Sequence, residues 1–456
     1  MLLKPIITID TFNAGILEDK TQPATNGGQM FYGLDIHNDD SVIQVSQKMT
    51  RETNVFTDLV KWVIRDDNSS FKYWALGDTG NLYKVADVGG TWALDSNIGG
   101  HGNGYTLYNG ERWHCTDTAL VGSTSGSNTI DSDTDFHPLC VFLGSLFGGA
   151  GRYIFKKESD GTFTARALPL PLGYKVKSLR VFGDVLVIGT WKGTNIYDEA
   201  DSLLFTWNGT SEFPNQPFGS NFNECGMNAL ELWENILLTF AGIGGNVYAF
   251  NNAFLDKAKK IPNVGSESGG YVYVNPGAVS QFGGNCLAGV SVGSGSAFGG
   301  VYTFGRKTED LPFAMTFSHP ISTGNTSVVV GAVFTAGNKV LVSWKDGANY
   351  GMDCLDLTAK YSSGYMESQK YEIAEGNKPR LVKGALITAD PLPTGTSITV
   401  KYDADNSGSF TTVGTITSSN QNEMLSILIR AKVFQPQFIL NANGNDSPKI
   451  HRIDIF

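Results

Sequence analysis

Asp403, Asp405 and Ser407 stand at alternate positions of the stretch DADNSG, Asp403 to Gly408. Alternating side-chain oxygens that end on a glycine form the first half of a calcium loop, where hard oxygens ring the ion and the glycine makes the sharp turn. The Ser409 carbonyl would come next. Such a loop also wants a bidentate acid at its twelfth position, which here is Gly414. The stretch lies between the alternating segments ITVKYD and SFTTVG, where a polar hairpin tip is expected on turn chemistry alone. Two readings therefore stand for these residues: Ca²⁺ ligands, or the tip of a hairpin.

The remaining chemistry-bearing residues are scattered. The histidines are His37, His101, His114, His137, His319 and His451, and no two have the H-x-H, H-x-x-H or H-E-x-x-H spacing that would put two imidazoles on one metal. Structural or surface roles are expected for them. GVSVG, Gly289 to Gly293, fits the G-x-S-x-G pattern of a nucleophile elbow. That elbow needs a strand, a turn and then a helix, and no helical pattern follows. The glycines of GGAGRY sit in hairpin-like context and carry no phosphate-binding logic. Asp39/Asp40 and Asp66/Asp67 read as turn residues, whereas a glycosidase needs two carboxyls facing across a cleft. Trp74, Trp113, Trp191, Trp207 and Trp344 are candidates for a sugar-binding platform, or for packing between sheets. No catalytic set emerges, and no cofactor beyond the calcium reading.

Composition sets the frame that must position these residues. The chain has 456 residues with 54 glycines, 11% aromatics and 17% charged residues. Disordered chains and coiled coils run charged and poor in aromatics, so neither class fits. Abundant Gly, Thr, Val, Tyr and Phe point to short strands joined by tight turns. The net charge is −10, which disfavours phosphate-backbone binding and suits ordinary solubility or a wall that DNA slides past. Cys115, Cys140, Cys225, Cys286 and Cys354 make an odd number with no C-x-x-C pair, as expected of reduced, mostly buried thiols in a cytosolic chain. The opening MLLKPIITID is broken by Pro5, Thr8 and Asp10 and does not read as a signal peptide, and no run of 18 apolar residues suggests a membrane span.

A repeated grammar runs through the middle of the chain: an apolar strand, a tight turn (FGD, WEN, FGGN, TAGNK), a second strand, a glycine turn, and a third strand beginning near a tyrosine. The marker positions are Tyr83, Tyr153, Tyr197, Tyr248, Tyr302 and Cys354, with gaps of 70, 44, 51, 54 and 52 residues. The longest gap has room for a degenerate unit, YTLYNGERWHCTDTALVGST from Tyr105 to Thr124. A period of this length with three or four strands per unit predicts a β-propeller of six or seven blades spanning residues 57–367. A generic sandwich or β-helix is the competing architecture. Residues 1–56 read as a lead segment of short strands, of the kind that closes a last blade. Residues 368–456, with alternation in SITVKYD, ILIRAKV and PQFILNA, predict a small antiparallel β-sandwich. The best candidate helix is NAFLDKAKKI, Asn252 to Ile261. The expected fold class is therefore all-β.

Both ends of the chain resemble tailed-bacteriophage virion structural proteins. The lead carries the F-x-x-G and strand pattern at Phe12, Gly15, Gly33, Leu34, Asp35 and Ile36, and the tail end carries LPTGTSITVKYDADNSGSF, AKVFQPQFIL and SPKIHRIDIF. A propeller followed by a sandwich with such an ending is similar to tail nozzle and DNA-stabilisation proteins of short-tailed phages. The resemblance implies a structural tail component made in the host cytoplasm and carried in the virion. Its implied partners are other tail or connector proteins, copies of itself in a homo-oligomeric, six-membered ring, and DNA passing through a channel without specific binding. It implies no catalytic residues. A receptor- or glycan-binding propeller is the alternative, with a cell-surface glycan as partner, and a glycan hydrolase is a third reading.

Overall fold

The computed structural model describes residues 4–17, 27–37, 42–53, 55–193, 201–217, 221–222, 224–251, 255–262, 271–293, 298–306, 313–324, 326–418 and 422–456. Tyr197 and the Asp39/Asp40 pair lie outside them. Among the described residues every regular element is a β-strand, so the chain is all-β. The candidate helix at Asn252–Ile261 is corrected where the chain is described: residues 252–254 lie outside the described residues, and Leu255–Lys260 is a strand, with Leu255 opposite Phe250 and Lys260 opposite Asn246. Pairing with a neighbouring strand has overridden a local helix preference, as tertiary context commonly does.

The chain forms two compact units. The larger holds Thr50–Gly300 and Ile321–Cys354, the smaller Met1–Met49, Val301–Pro320 and Leu355–Phe456. The expected division into a lead, a continuous 57–367 body and a separate 368–456 domain differs from this, because residues 301–320 and those from Leu355 onward belong with the first 49.

In the larger unit, four-stranded antiparallel meanders follow one another. The first runs through Val60–Arg65, Tyr73–Gly77, Asn81–Val85 and Ala93–Asn97, and the second through Gly104–Tyr108, Glu111–Cys115, Ala119–Gly122 and Gly126–Thr129. The third has Leu139–Phe142, Ser145–Ala150, Tyr153–Lys157 and Phe163–Pro169, and the fourth Lys175–Phe182, Val185–Trp191, Ser202–Trp207 and Asn221–Phe222. The fifth has Met227–Trp233, Ile236–Ala241, Asn246–Phe250 and Leu255–Lys260. A hairpin of Val272–Phe282 and Asn285–Val292 comes sixth, and strands Val328–Ala336, Lys339–Asp346 and the one starting at Asn349 come seventh. Beside the last of these runs the start of the unit: Glu52 N–H donates to the Met352 carbonyl at 2.8 Å.

The first hairpins are set by turn chemistry. Asn109–Gly110, Leu143–Gly144 and Gly283–Gly284 each place two successive residues at positive φ, the type I′ geometry that matches strand twist. No single meander hides its own faces. Phe147 of the third sheet packs edge-on to Trp207 of the fourth at 5.5 Å, and Phe182 of the fourth meets Phe250 of the fifth at 5.8 Å. A further cluster joins Tyr83 and Trp92 of the first sheet region to Leu341 and Met352 of the seventh. The first strands of successive sheets are neighbours, and the strand at Val60–Arg65 touches both Gly104–Tyr108 and Val328–Ala336, so the series closes on itself as a β-propeller arrangement.

Five of these first strands carry a register shift against their partner: between Val60 and Trp62, Val176 and Ser178, Met227 and Ala229, Val274 and Val279, and Val330 and Val333. A bulge leaves one or more residues unpaired and re-aims their side chains.

The smaller unit has one four-stranded sheet in the order Ile7–Ile9, Ile450–Ile455, Arg380–Ala389, Asn422–Ala431. Its other strands include Gly15–Ile16, Gly27–Tyr32, Ala314–Pro320, Ser363–Ser368, Val433–Asn441, Ser397–Ala404 and Thr411–Ile416. The two chain ends meet directly, with Ile7 opposite Ile455 and Ile9 opposite Ile453. Tyr32 stacks on Tyr365 at 5.0 Å and meets Phe317 edge-on at 5.1 Å, which ties three distant segments together.

The ring of first strands is tight enough to require glycine. A Cβ on Gly331 would lie 2.0 Å from the Val60 carbonyl oxygen, and that carbonyl already accepts the Ser343 hydroxyl at 2.5 Å. Gly331→Ala is expected to cost about 1–3 kcal/mol through overpacking, read as a lower midpoint in urea unfolding, with the same sign for Gly277→Ala, whose Cβ would lie 2.1 Å from the Lys61 carbonyl oxygen.

Candidate functional site

The bulges determine what faces the middle of the larger unit. Lys61, Lys177 and Asn228 are the residues skipped in three of the register shifts, and Asn275 and Pro276 fall within a fourth. All five line one cavity of about 530 Å³, together with Asp78, His101, Thr134, Asp135, Phe136, Trp191, Cys225 and Tyr273. A second cavity of about 510 Å³ is lined by regularly paired parts of the same strands, including Trp62, Tyr105, Leu139, Arg180, Glu231, Gln281 and Phe334. A space of about 50 Å³ shares Lys177, Asn275 and Phe136 with the former and Trp62, Pro138 and Gly277 with the latter.

Arg180 and Glu231 meet in the 510 Å³ cavity. The Arg180 Nη2 donates to Glu231 Oε1, with the carboxyl buried and the guanidinium half-exposed. Leu232 N–H donates to the same oxygen at 3.1 Å. Burial pushes the Glu231 carboxyl up, and Arg180 opposes the shift. Among the described residues lining this cavity Glu231 is the one carboxylate, so the two-carboxyl arrangement of a glycosidase is not assembled there.

Lys177 dominates the other cavity. It is 6% exposed, and its Nζ lies 4.0 Å from the Trp191 ring centroid and 4.8 Å from that of Phe136. The two rings are themselves in contact at 5.4 Å. A methyl group on Gly226 would come within 3.2 Å of Nζ and 2.9 Å of Trp191, so this glycine makes the space that the lysine tip occupies. Among the described residues no hydrogen-bond or ion-pair partner stands beside Nζ. Burial pushes the amine down to about 7, while Cys225 and Asp135 act the other way. By contrast Lys61 is paired with Asp78 at 2.5 Å.

Most residues singled out in the sequence have structural partners. Asp403 and Asp405 sit in a hairpin turn, with Asp405 and Asn406 at φ 55° and 58°. Asp403 Oδ1 accepts Ser407 N–H at 2.9 Å and the Ser407 hydroxyl at 2.6 Å, and Oδ2 accepts Gly408 N–H at 3.1 Å. Asp405 Oδ1 turns to the Lys432 and Val433 amides, at 2.7 and 3.0 Å. The two carboxylates thus serve different stretches of backbone.

Ser291 of GVSVG lies inside the strand Asn285–Val292 and accepts Val330 N–H at 3.0 Å; it is no elbow. His137 is buried against the Gly149 carbonyl at 2.8 Å, His319 meets the Gln47 carbonyl at 3.0 Å, and His451 meets Asp390 at 2.7 Å. His101 faces Asp117 at 3.0 Å on the rim. Burial alone pushes His114 down to about 4, and burial also lowers His37. Asp66 binds Arg112 at 2.7 Å and Asp67 binds Arg65 at 2.7 Å. Trp74, Trp113, Trp191, Trp207 and Trp344 are all buried, and of the five only Trp191 lines the 530 Å³ cavity. None of the five cysteines is in a disulfide.

No protein-family profile matches the chain, and no curated protein does. Among solved structures, the chain is similar to the extracellular domain of the putative hybrid two component system BT4673 from B. thetaiotaomicron, with 14% identity and a TM-score of 0.45 over 77% of this chain and 44% of that one. This chain therefore spans less than half of that relative. It is similar also to YCF48 from Cyanidioschyzon merolae, with 12% identity and a TM-score of 0.45 over 68% of this chain and 98% of that one. The Neurospora crassa Pan2 WD40 domain is a further one, at 8% identity and a TM-score of 0.42 over 70% and 97%. Among the described residues no helix is long and apolar enough to cross a membrane.

The Lys177 environment has a pH signature. Its folded pKa, pushed down to about 7, lies below the ordinary lysine value. Between the two the unfolded chain holds a proton that the native state has shed, so this group makes native stability rise with pH across that window, from its lowest level below about 7. Lys177→Met removes the group. The variant is expected to gain most over the parent at about pH 6 and to lose much of that advantage by about pH 9, read as the pH dependence of urea-unfolding free energy.

Proposed function

We propose that the chain is a structural building block of a bacteriophage tail, of nozzle or tail-tip type, carried in the virion. Its body is a seven-bladed propeller, one blade for each first strand in the closed series of the larger unit. The smaller unit is a β-sandwich that supplies contacts to tail or connector proteins and to further copies of the chain. The observation that carries this reading is the joining of the two ends that bear the phage resemblance. Phe12, Leu34 and Ile36 of the lead are buried, and Gly15 is bridged to Met315. The closing IHRIDI strand pairs with Ile7–Ile9 at one edge and Arg380–Ala389 at the other. Lead and tail end are parts of one folded unit.

A propeller is a stiff support whose stability is spread over many inter-sheet contacts, and a homo-oligomer of such bodies closes by cyclic symmetry. The net charge of −10 supports this reading, because acidic residues facing the lumen of such a ring would repel phosphate and let DNA pass without being held. A second reading, a glycan- or receptor-binding propeller of the virion, is favoured by the 530 Å³ cavity with its Trp191 and Phe136 wall.

Electron microscopy and mass photometry of the purified full chain test the first reading. A closed ring, six-fold by analogy, supports it, as does antibody labelling of a tail. A chain that stays monomeric at micromolar concentration and binds a defined oligosaccharide on a glycan array overturns it in favour of the second.

A further inference from the structure

We propose that Lys177 is a carbonyl-capturing amine, whose Nζ condenses reversibly with a small hydroxylated aldehyde, such as the open-chain form of an aldose, inside the cavity of about 530 Å³. The inference does not rest on the tail reading. Its basis is placement. The bulge between Val176 and Ser178 takes Lys177 out of the ladder and turns it into the cavity. The glycine at 226 leaves room for its tip, and the rings of Trp191 and Phe136 hold that tip on two sides. Lysines of this kind, desolvated and without a hydrogen-bonded carboxylate, present a free lone pair near neutral pH, as a nucleophile must; Cys225 and Asp135, on the same cavity, act against this without overturning it. Burial acts in that direction on this amine.

The chemistry balances without an oxidant or reductant. The Nζ lone pair attacks the aldehyde carbon, and the carbonyl π pair moves to oxygen, which takes up a proton. Proton transfer from nitrogen and loss of water then leave a protonated imine. The net change is amine plus aldehyde plus one proton giving iminium plus water, and hydrolysis reverses it. The product is a cation at the place where the starting amine was neutral. Trp191 at 4.0 Å and Phe136 at 4.8 Å offer that cation their ring faces. Polar groups line the same cavity for the ligand's hydroxyls: Thr134, the Lys61–Asp78 pair, and the amide oxygens of Asn228 and Asn275, whose NH2 groups donate to the Gly242 and Val330 carbonyls. A purely apolar aldehyde would leave these groups facing carbon, which is costly.

The test uses the intact full-length protein, glyceraldehyde as probe and cyanoborohydride to trap the imine, with peptide mass mapping. At pH 7 the adduct at Lys177 should exceed that at exposed lysines by roughly tenfold or more, because those remain almost wholly protonated. The enrichment should fall as pH rises toward about 10 and the exposed amines deprotonate. Lys177→Met should abolish the enriched adduct. Trp191→Leu, which keeps the amine, should reduce the enrichment and covers the case in which Lys177→Met fails to fold. Propanal in place of glyceraldehyde should label Lys177 less, relative to exposed lysines. Labelling spread evenly over the lysines, or concentrated elsewhere, overturns the capture site. Equal enrichment by propanal overturns the hydroxylated class of ligand.

Discussion

Packing between adjacent sheets is the constraint on which the larger unit depends. A four-stranded meander buries little on its own, and here each one leaves apolar side chains on both faces. The cluster of Phe147, Ile154, Leu186, Ile188 and Trp207 belongs to the third and fourth sheets together, and that of Leu204, Met227, Leu237 and Phe250 to the fourth and fifth. No sheet can be removed without uncovering two neighbours. Closure of the series matters for the same reason: an open series would end on two bare faces, and the contact of Val60–Arg65 with Val328–Ala336 covers them. The first strands are then forced close together. Backbone carbonyls come against Gly277 and Gly331, and the polar bulge residues Lys61, Lys177 and Asn228 are turned toward the middle.

Much of this frame was legible in the chain because its signals are local. Tight turns with glycine or asparagine at positive φ, such as Asn109–Gly110 and Gly283–Gly284, mark hairpins wherever they occur. The segment from Tyr105 to Thr124, picked out because the longest gap between markers had room for a unit, supplies three strands of the second sheet. The division into units was not legible, because it rests on pairings between residues hundreds of positions apart. Thr8 donates to Asp454 at 2.7 Å across 446 residues, and no local pattern announces such a partner. The helix candidate near Leu255 failed for a local reason: its Lys-rich propensity lost to hairpin pairing with the strand just before it, Asn246–Phe250.

The candidate site was hidden for a different reason. In VKSLR, Lys177 reads as one more charged residue on a strand of alternating character. A strict period of two would give Val176 and Ser178 one face and Lys177 the other. The bulge breaks that period, and a shift of one residue exchanges the faces. Lys61 and Asn228 are displaced by the same device in their own strands. The only trace in the sequence is a charged or amide residue near the start of an otherwise apolar first strand, which surface strands also show. At Asp403 the sequence offered two readings, calcium ligands or a hairpin tip, and in the structure the Asp403 and Asp405 oxygens accept nearby backbone amides of a hairpin turn.

The two cavities hold buried charge in opposite ways, and the contrast bears on which of them awaits something. Glu231 has Arg180 against it and a backbone amide as well, so its charge is matched within the fold. Lys177 has two aromatic faces instead. Ring quadrupoles contribute about 1–2 kcal/mol to a desolvated cation, while removing an ammonium from water costs several kcal/mol even after the surroundings relax. The rings do not close that gap. The group therefore sheds its proton near neutrality, as the direction of its shift records. A purely structural position would be served as well by methionine, which fills the same space with no desolvation cost. An amine at this place, beside the bulge residues Lys61, Asn228 and Asn275 on the same cavity, is a group whose balance is completed by what enters.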